Sequence, residues 1–114
     1  MSKDAQKQSL LDAVTQLRLA EQLLIQASQA TSDIPTLMQI NVEYSHLDSF
    51  LSQLLQAQAI ADDTDFAHAI SSLKKQASIL QAEEYGIKKV VADVGIAARI
   101  ASYLVQIVGI IAKL

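Results

Sequence analysis

The two histidines of this 114-residue chain each follow an acidic residue by three positions, in Glu43-Tyr-Ser-His46 and in Asp65-Phe-Ala-His68. On a helix that spacing places a carboxylate and an imidazole on one face. Two such pairs, with a Glu from each remaining helix, are the ligand set of a di-iron centre in a four-helix bundle. Metal binding is therefore the first chemistry that the residue types suggest.

The heights of the two pairs along their helices exclude a shared centre. His46 lies about fifteen residues before the predicted turn between the second and third helices, and His68 lies about five after it. In an antiparallel pair the imidazoles are then ~15 Å apart at 1.5 Å per residue. Glu21 is the one carboxylate in the middle of the first helix. We therefore predict no metal and no other cofactor, with surface histidines that cap or pair locally.

Other motifs for catalysis or ion binding are also incomplete. Asp63-Thr-Asp65 begins like a calcium loop, but His68 stands where that loop needs Gly and Lys74 stands where it needs Glu. There is no Gly-rich phosphate loop, and no Ser–His–acid set has a strained turn around its Ser. Because no catalytic cluster can be nominated, we predict that the protein is not an enzyme.

The composition favours a few long helices over many short elements. It is 51% hydrophobic and 18% charged, with one Pro, three Gly and no Cys, so it is too apolar for a disordered chain and poor in turn formers. The absence of cysteine excludes disulfides and thiol chemistry. The start, MSKDAQKQ, lacks the apolar segment of a secretory signal. We expect a cytoplasmic location, with signal-independent export as the alternative.

Apolar residues at helical spacing predict one domain, 1–114, with helices at about 4–30, 35–61, 64–84 and 87–113. The heptad of the third segment continues into the fourth, so the chain either turns at Gly86 or runs on. With a turn, the fold is all-α, an up-down four-helix bundle. Without one, a helical hairpin precedes a helix of ~50 residues that forms an oligomeric coiled-coil bundle.

The last segment, Val90–Leu114, is apolar enough to raise the question of a membrane helix. Its only charged residues are Asp93, Arg99 and Lys113. A spanning helix needs about 20 mainly apolar residues, and Arg99 in its middle would cost roughly 2.5–3.5 kcal/mol. Polar residues follow a narrow strip with a period close to seven. We therefore predict the most buried helix of a water-soluble bundle, and keep open its conditional release into lipid, as in helical toxins.

The charge is unevenly distributed around a net value of −3. Residues 22–73 carry six acids and no base, whereas residues 74–114 carry six bases and three acids. Bases this few, with sparse aromatics, argue against a nucleic-acid partner. Opposite charges in the middle and the tail favour association between chains or contact with anionic lipid.

These observations predict a non-enzymatic module for protein interaction or assembly, binding a protein partner or itself as a homo-oligomer. The alternative is a small membrane-active protein, pore-forming or membrane-associating, whose last helix inserts conditionally into anionic membranes. The residues expected at the interface or in the membrane are Ile87, Val91, Val94, Ala98, Arg99, Ala101, Val105, Val108 and Ala112.

Overall fold

Each helix begins at a side chain that accepts a hydrogen bond from the backbone N–H three residues further on. Ser2 Oγ accepts from Ala5, and the carboxylates of Asp33, Asp62 and Asp93 accept in the same way, at 2.9–3.1 Å. Such caps satisfy N–H groups that have no partner inside the helix. In the computed structural model, which describes residues 1–114, the helices that follow are α1 (Lys3–Gln29), α2 (Ile34–Ala59), α3 (Asp63–Val90) and α4 (Val94–Ala112).

The four helices form an up-down bundle, as predicted. Each packs against its neighbour in the chain, and α1 packs against α4 to close the bundle. The short connections make consecutive helices antiparallel, and the bundle measures 47 × 20 × 19 Å. Apolar residues at heptad-like spacing in the sequence predict one inward stripe on α1. The prediction is confirmed, since all six of its residues are buried: Leu10, Ala13, Leu17, Ala20, Leu24 and Ala27.

The chain does not turn at Gly86, and it does not form a helix of ~50 residues either. Helix α3 runs through Gly86 to Val90, and the turn is Val91–Asp93. No glycine in the chain has the positive φ that would end a helix in the left-handed region. The break comes instead at Asp93, whose side chain caps α4, after two lysines at the carboxyl end of α3 that favour helix termination there.

Helix α4, predicted to be the most buried helix, is buried to about the same degree as α1. Six of its nineteen residues are buried, against nine of twenty-seven in α1. It contacts only α1 and α3, which flank it on two sides. Its core stripe is Ala97, Ile100, Leu104, Ile107 and Ile111. The apolar residues expected at an interface or in the membrane, from Val94 to Ala112, lie about a quarter turn away, and most of them face solvent.

Candidate functional site

The residues predicted for an interface separate into two groups. Ile87, Val91 and Ala101 are buried in the bundle, and Ile87 belongs to α3. Along α4 the others are exposed or, for Val108, half-buried, and all of them except Arg99 form one outward stripe. Val94 is 81% exposed and Val105 56% exposed. We call Val94, Ala98, Val105, Val108 and Ala112, with Ala101 at its base, the outer stripe. Arg99 is exposed on another side of α4, roughly 140° around the helix from the outer stripe at 100° per residue.

Helix α4 is consequently apolar on two faces. One forms core, and the other is the outer stripe, which adjoins it. Ser102, Gln106 and Arg99 lie on the remaining side of the helix. It is also the one helix of the bundle that is long and apolar enough to cross a membrane, and about a third of it is buried. A core helix of a water-soluble bundle would carry a charged outer face. The outer stripe is therefore a candidate binding surface.

The charges of the middle and the tail are not neutralised within the bundle. The ion pairs are Lys3–Asp63 and Lys88–Glu84, and His46 contacts Glu83. None joins a base of residues 74–114 to an acid of residues 22–73. The acidic and basic surfaces therefore stay available to a partner.

A second candidate site lies between α2 and α3. Glu43 and His46, one turn apart on α2, meet Glu83 of α3, and His46 Nδ1 lies 2.5 Å from Glu83 Oε1. The two carboxylates are only 6% and 7% exposed, while the imidazole is half-exposed. One ligand atom from each residue lies within 4.8 Å of the other two. Donors of these types at this separation could hold a metal ion.

The histidines are separated as the sequence predicted, because His68 is exposed and belongs to no such cluster. The sequence reasoning missed Glu83, which supplies the third group opposite Glu43 and His46. The apolar heptad of the third segment, followed along the sequence, passes through the neighbouring Glu84 and not through Glu83, although Glu84 is only half-buried. The Glu-x-x-His spacing was the available signal, and finding its third member required the packing of α3 against α2.

Gly86 admits the Glu43 carboxylate. A Cβ added at Gly86 would lie 2.9 Å from Glu43 Oε1, closer than such atoms approach in proteins. That oxygen also accepts a hydrogen bond from Gln39 Nε2 at 2.9 Å. The glycine that seemed to end a helix is thus a space for a buried side chain.

Gly86→Ala and Gly109→Ala should differ in their effect on stability. Alanine normally stabilises a helix interior by about 0.5–1 kcal/mol over glycine. Gly109→Ala should show that gain because nothing lies within 4 Å of the added Cβ. Gly86→Ala should lose it, since Glu43 must move. Urea unfolding followed by circular dichroism, at concentrations where both variants are monomeric, measures the difference. Equal gains would show that the Glu43 carboxylate is free to move.

A third acidic group lies between α1 and α2. Glu21 is 5% exposed, and its Oε2 is buried without a hydrogen-bond partner. Burial raises the pKa of Glu21 to about 7, with further increases from hydrogen bonding with Asp48 and from its charge, while Arg18 acts in the opposite direction. The charge of Glu21, with burial and Asp48, also raises the pKa of the Tyr44 hydroxyl. Glu21 can therefore hold a proton near neutral pH.

The number, order and packing of the helices place the chain in the class of up-down four-helix bundles. Comparison with protein-family models, with curated proteins and with solved structures found no match in any of the three.

Proposed function

We propose that the protein is a non-enzymatic assembly module that associates with a second copy of itself through the outer stripe of α4. The observation that carries the proposal is the exposure of Val94 and Val105, 81% and 56%, on a helix whose other face already forms core. Covering apolar surface contributes about 25 cal/mol per Å². A stripe that recurs at heptad spacing suits another helix as its cover.

The spacing of the outer stripe is symmetric about Tyr103, which favours a second copy as the partner. In an antiparallel pair of α4 helices centred there, Val94 faces the other copy's Ala112. Ala98 likewise faces Val108, and Ala101 faces Val105. Every valine thus meets an alanine, and large residues opposite small ones allow two helices to approach closely.

The charges at the two ends of α4 fit the same arrangement. Asp93 and Lys113 flank the helix as its caps and lie at equal distances from Tyr103 in the sequence. An antiparallel pair brings each Asp93 beside the partner copy's Lys113. The two Arg99 side chains come to lie on opposite sides of the centre, ~12 Å apart along the axis at 1.5 Å per residue. No like charges face each other.

Val105→Asp should dissociate the assembly, and Leu55→Asp should not. Both residues are partly exposed leucine or valine side chains, but Leu55 lies on α2, away from the outer stripe. A carboxylate at position 105 would be buried against the partner without a cation. Sedimentation velocity over a range of concentrations should show a dimer for the wild type and for Leu55→Asp, and a monomer for Val105→Asp. A wild type that stays monomeric at high concentration contradicts the proposal.

Cross-linking tests the antiparallel geometry, and the absence of native cysteine makes it direct. A mixture of Val94→Cys and Ala112→Cys proteins should form a disulfide-linked dimer on oxidation. Each variant alone should cross-link poorly, since its own two cysteines lie at opposite ends of the pair. Efficient cross-linking of either variant alone would indicate a parallel arrangement.

The second candidate function is conditional membrane insertion, which the length and apolar character of Val94–Ala112 favour. Flotation with anionic and neutral liposomes, paired with dye release at neutral and mildly acidic pH, tests it. Insertion predicts that Arg99→Leu strengthens binding, because the guanidinium is the costly group in the bilayer, and that Val105→Asp weakens it. Failure of the wild type to float with either liposome excludes this function.

A further inference from the structure

Two buried carboxylates at the α2–α3 interface each have an oxygen without a hydrogen-bond donor. These are Oε2 of Glu43 and Oε2 of Glu83, in residues more than nine-tenths buried. Leaving an ionised oxygen out of water without a donor or a cation is costly. Glu43 Oε1 is satisfied by Gln39, and Glu83 Oε1 by His46. The chain itself supplies no partner for the two remaining oxygens, and a bound cation would satisfy both.

The ligand atoms are close enough for one ion to bind all three residues. One atom each from Glu43, His46 and Glu83 lies within 4.8 Å of the others. Ligands bonded to an ion at 2.0–2.2 Å lie about 3–3.5 Å apart, so side-chain rotations that shorten these separations complete the site. Gly86 leaves room for Glu43, and Gln39 orients its carboxylate as a supporting residue outside the ligand set.

An open cleft connects the cluster to solvent. It has a volume of about 250 Å³, and His46 and Glu83 lie in its wall beside Gln53, Gln76 and Ile79. The imidazole is half-exposed and Glu83 is buried, while Glu43 lies outside the wall of the cleft. An ion can therefore reach His46 and Glu83 from the cleft without unfolding of the bundle, and water can occupy its remaining coordination positions.

We propose that Glu43, His46 and Glu83 bind one divalent transition-metal ion, with Zn²⁺ as the probe. The imidazole distinguishes this site from one for Ca²⁺ or Mg²⁺, which take oxygen ligands. Three protein ligands of mixed N and O type, with open positions for water, are a usual set for zinc in an accessible site. Bound between the three side chains, the ion would supply the positive partner that the two buried carboxylate oxygens lack. The site is independent of the outer stripe.

Titration calorimetry with Zn²⁺ alone tests the site, with His68→Ala as the matched control. His68 also follows an acid by three residues, but has no Glu83 equivalent. We expect one Zn²⁺ per wild-type chain, with affinity reduced at least tenfold in His46→Ala and in Glu83→Gln and unchanged in His68→Ala. Gly86→Ala should also weaken binding, because it displaces Glu43. Circular dichroism establishes that each variant is folded.

Co²⁺ provides a second readout, since its visible absorption reports nitrogen and oxygen ligands directly. The absorption should appear in the wild type and in His68→Ala, and be lost in His46→Ala. Three results overturn the proposal: no binding of Zn²⁺ to the folded wild type, binding that His46→Ala and Glu83→Gln leave unchanged, and binding that His68→Ala reduces as much as His46→Ala does.

Discussion

Leu104→Asp is expected to unfold the bundle, whereas Val105→Asp, one residue further along α4, is expected to leave it folded. Leu104 is fully buried in the core, and Val105 is 56% exposed. A carboxylate at Leu104 would lie among apolar side chains with no donor or cation, which costs more than about 4 kcal/mol. Domains of this size are stable by only about 5–15 kcal/mol.

Urea unfolding followed by circular dichroism at low concentration measures both variants as monomers. Leu104→Ala gives a milder comparison, with an expected loss of about 2–5 kcal/mol from the lost contacts and the cavity. Val105→Asp should change the free energy of unfolding by less than about 1 kcal/mol. A reversed order, with Val105→Asp the more damaging, would mean that the outer stripe faces the core.

The contrast between neighbouring residues shows why the sequence predicted the helix but not its inward face. Along α4, Ile100, Leu104 and Ile107 recur at heptad spacing, and so do Val94 and Val105 a quarter turn away. Hydrophobic periodicity identifies an inward face only when the opposite face is polar. In α1 the polar face is clear, and the predicted stripe was confirmed residue by residue. In α4 the choice depends on larger side chains filling the core better.

The helix boundaries were predictable where a capping side chain and a break in periodicity coincided. At Asp33 and Asp62 they did, and the structure has caps there. The turn before α4 was predicted at Gly86 because glycine has a low helix propensity, whereas the structure has it at Asp93, the residue that caps α4. Glycine inside a helix is tolerated where its missing side chain makes room for a neighbour, and that neighbour, Glu43, belongs to another helix. Local sequence contains no information on such an approach.

The carboxylate–imidazole cluster could not be predicted for the same reason, because it depends on a contact between different helices. Glu43 and His46 were identified as a pair from their spacing, and their separation from His68 was predicted correctly. Their partner Glu83 follows them by about forty residues. Its contact with them depends on how far α3 is shifted along α2 and rotated against it. Burial of a Glu is also rare. Sequence periodicity places such a residue at the surface, where its charge stays in water and no desolvation penalty arises.

The stability of the protein is expected to fall as the pH rises from about 5 to about 8, because of Glu21. Its pKa is about 7 in the folded state, against 4.5 for an unperturbed Glu. The folded protein binds this proton more tightly than the unfolded chain does. The resulting stabilisation is fully present below pH 4.5 and is lost as the pH rises through 7. The loss is roughly 3 kcal/mol at most, from 1.36 kcal/mol per unit of pKa difference.

Glu21→Gln separates this effect from every other titrating group. Glutamine fills the same space, carries no charge at any pH and can donate a hydrogen bond to Asp48. The variant should match the wild type near pH 5 and exceed its free energy of unfolding by roughly 1–3 kcal/mol at pH 8. Glu84→Gln, which changes the half-buried Glu that pairs with Lys88, is the control and should keep the wild-type slope.

Asp33 and Asp63, whose hydrogen bonds lower their pKa values, contribute a pH dependence of the opposite sign to the free energy of unfolding, and only below this pH range. A slope that survives in Glu21→Gln would show that a group other than Glu21 causes the pH dependence.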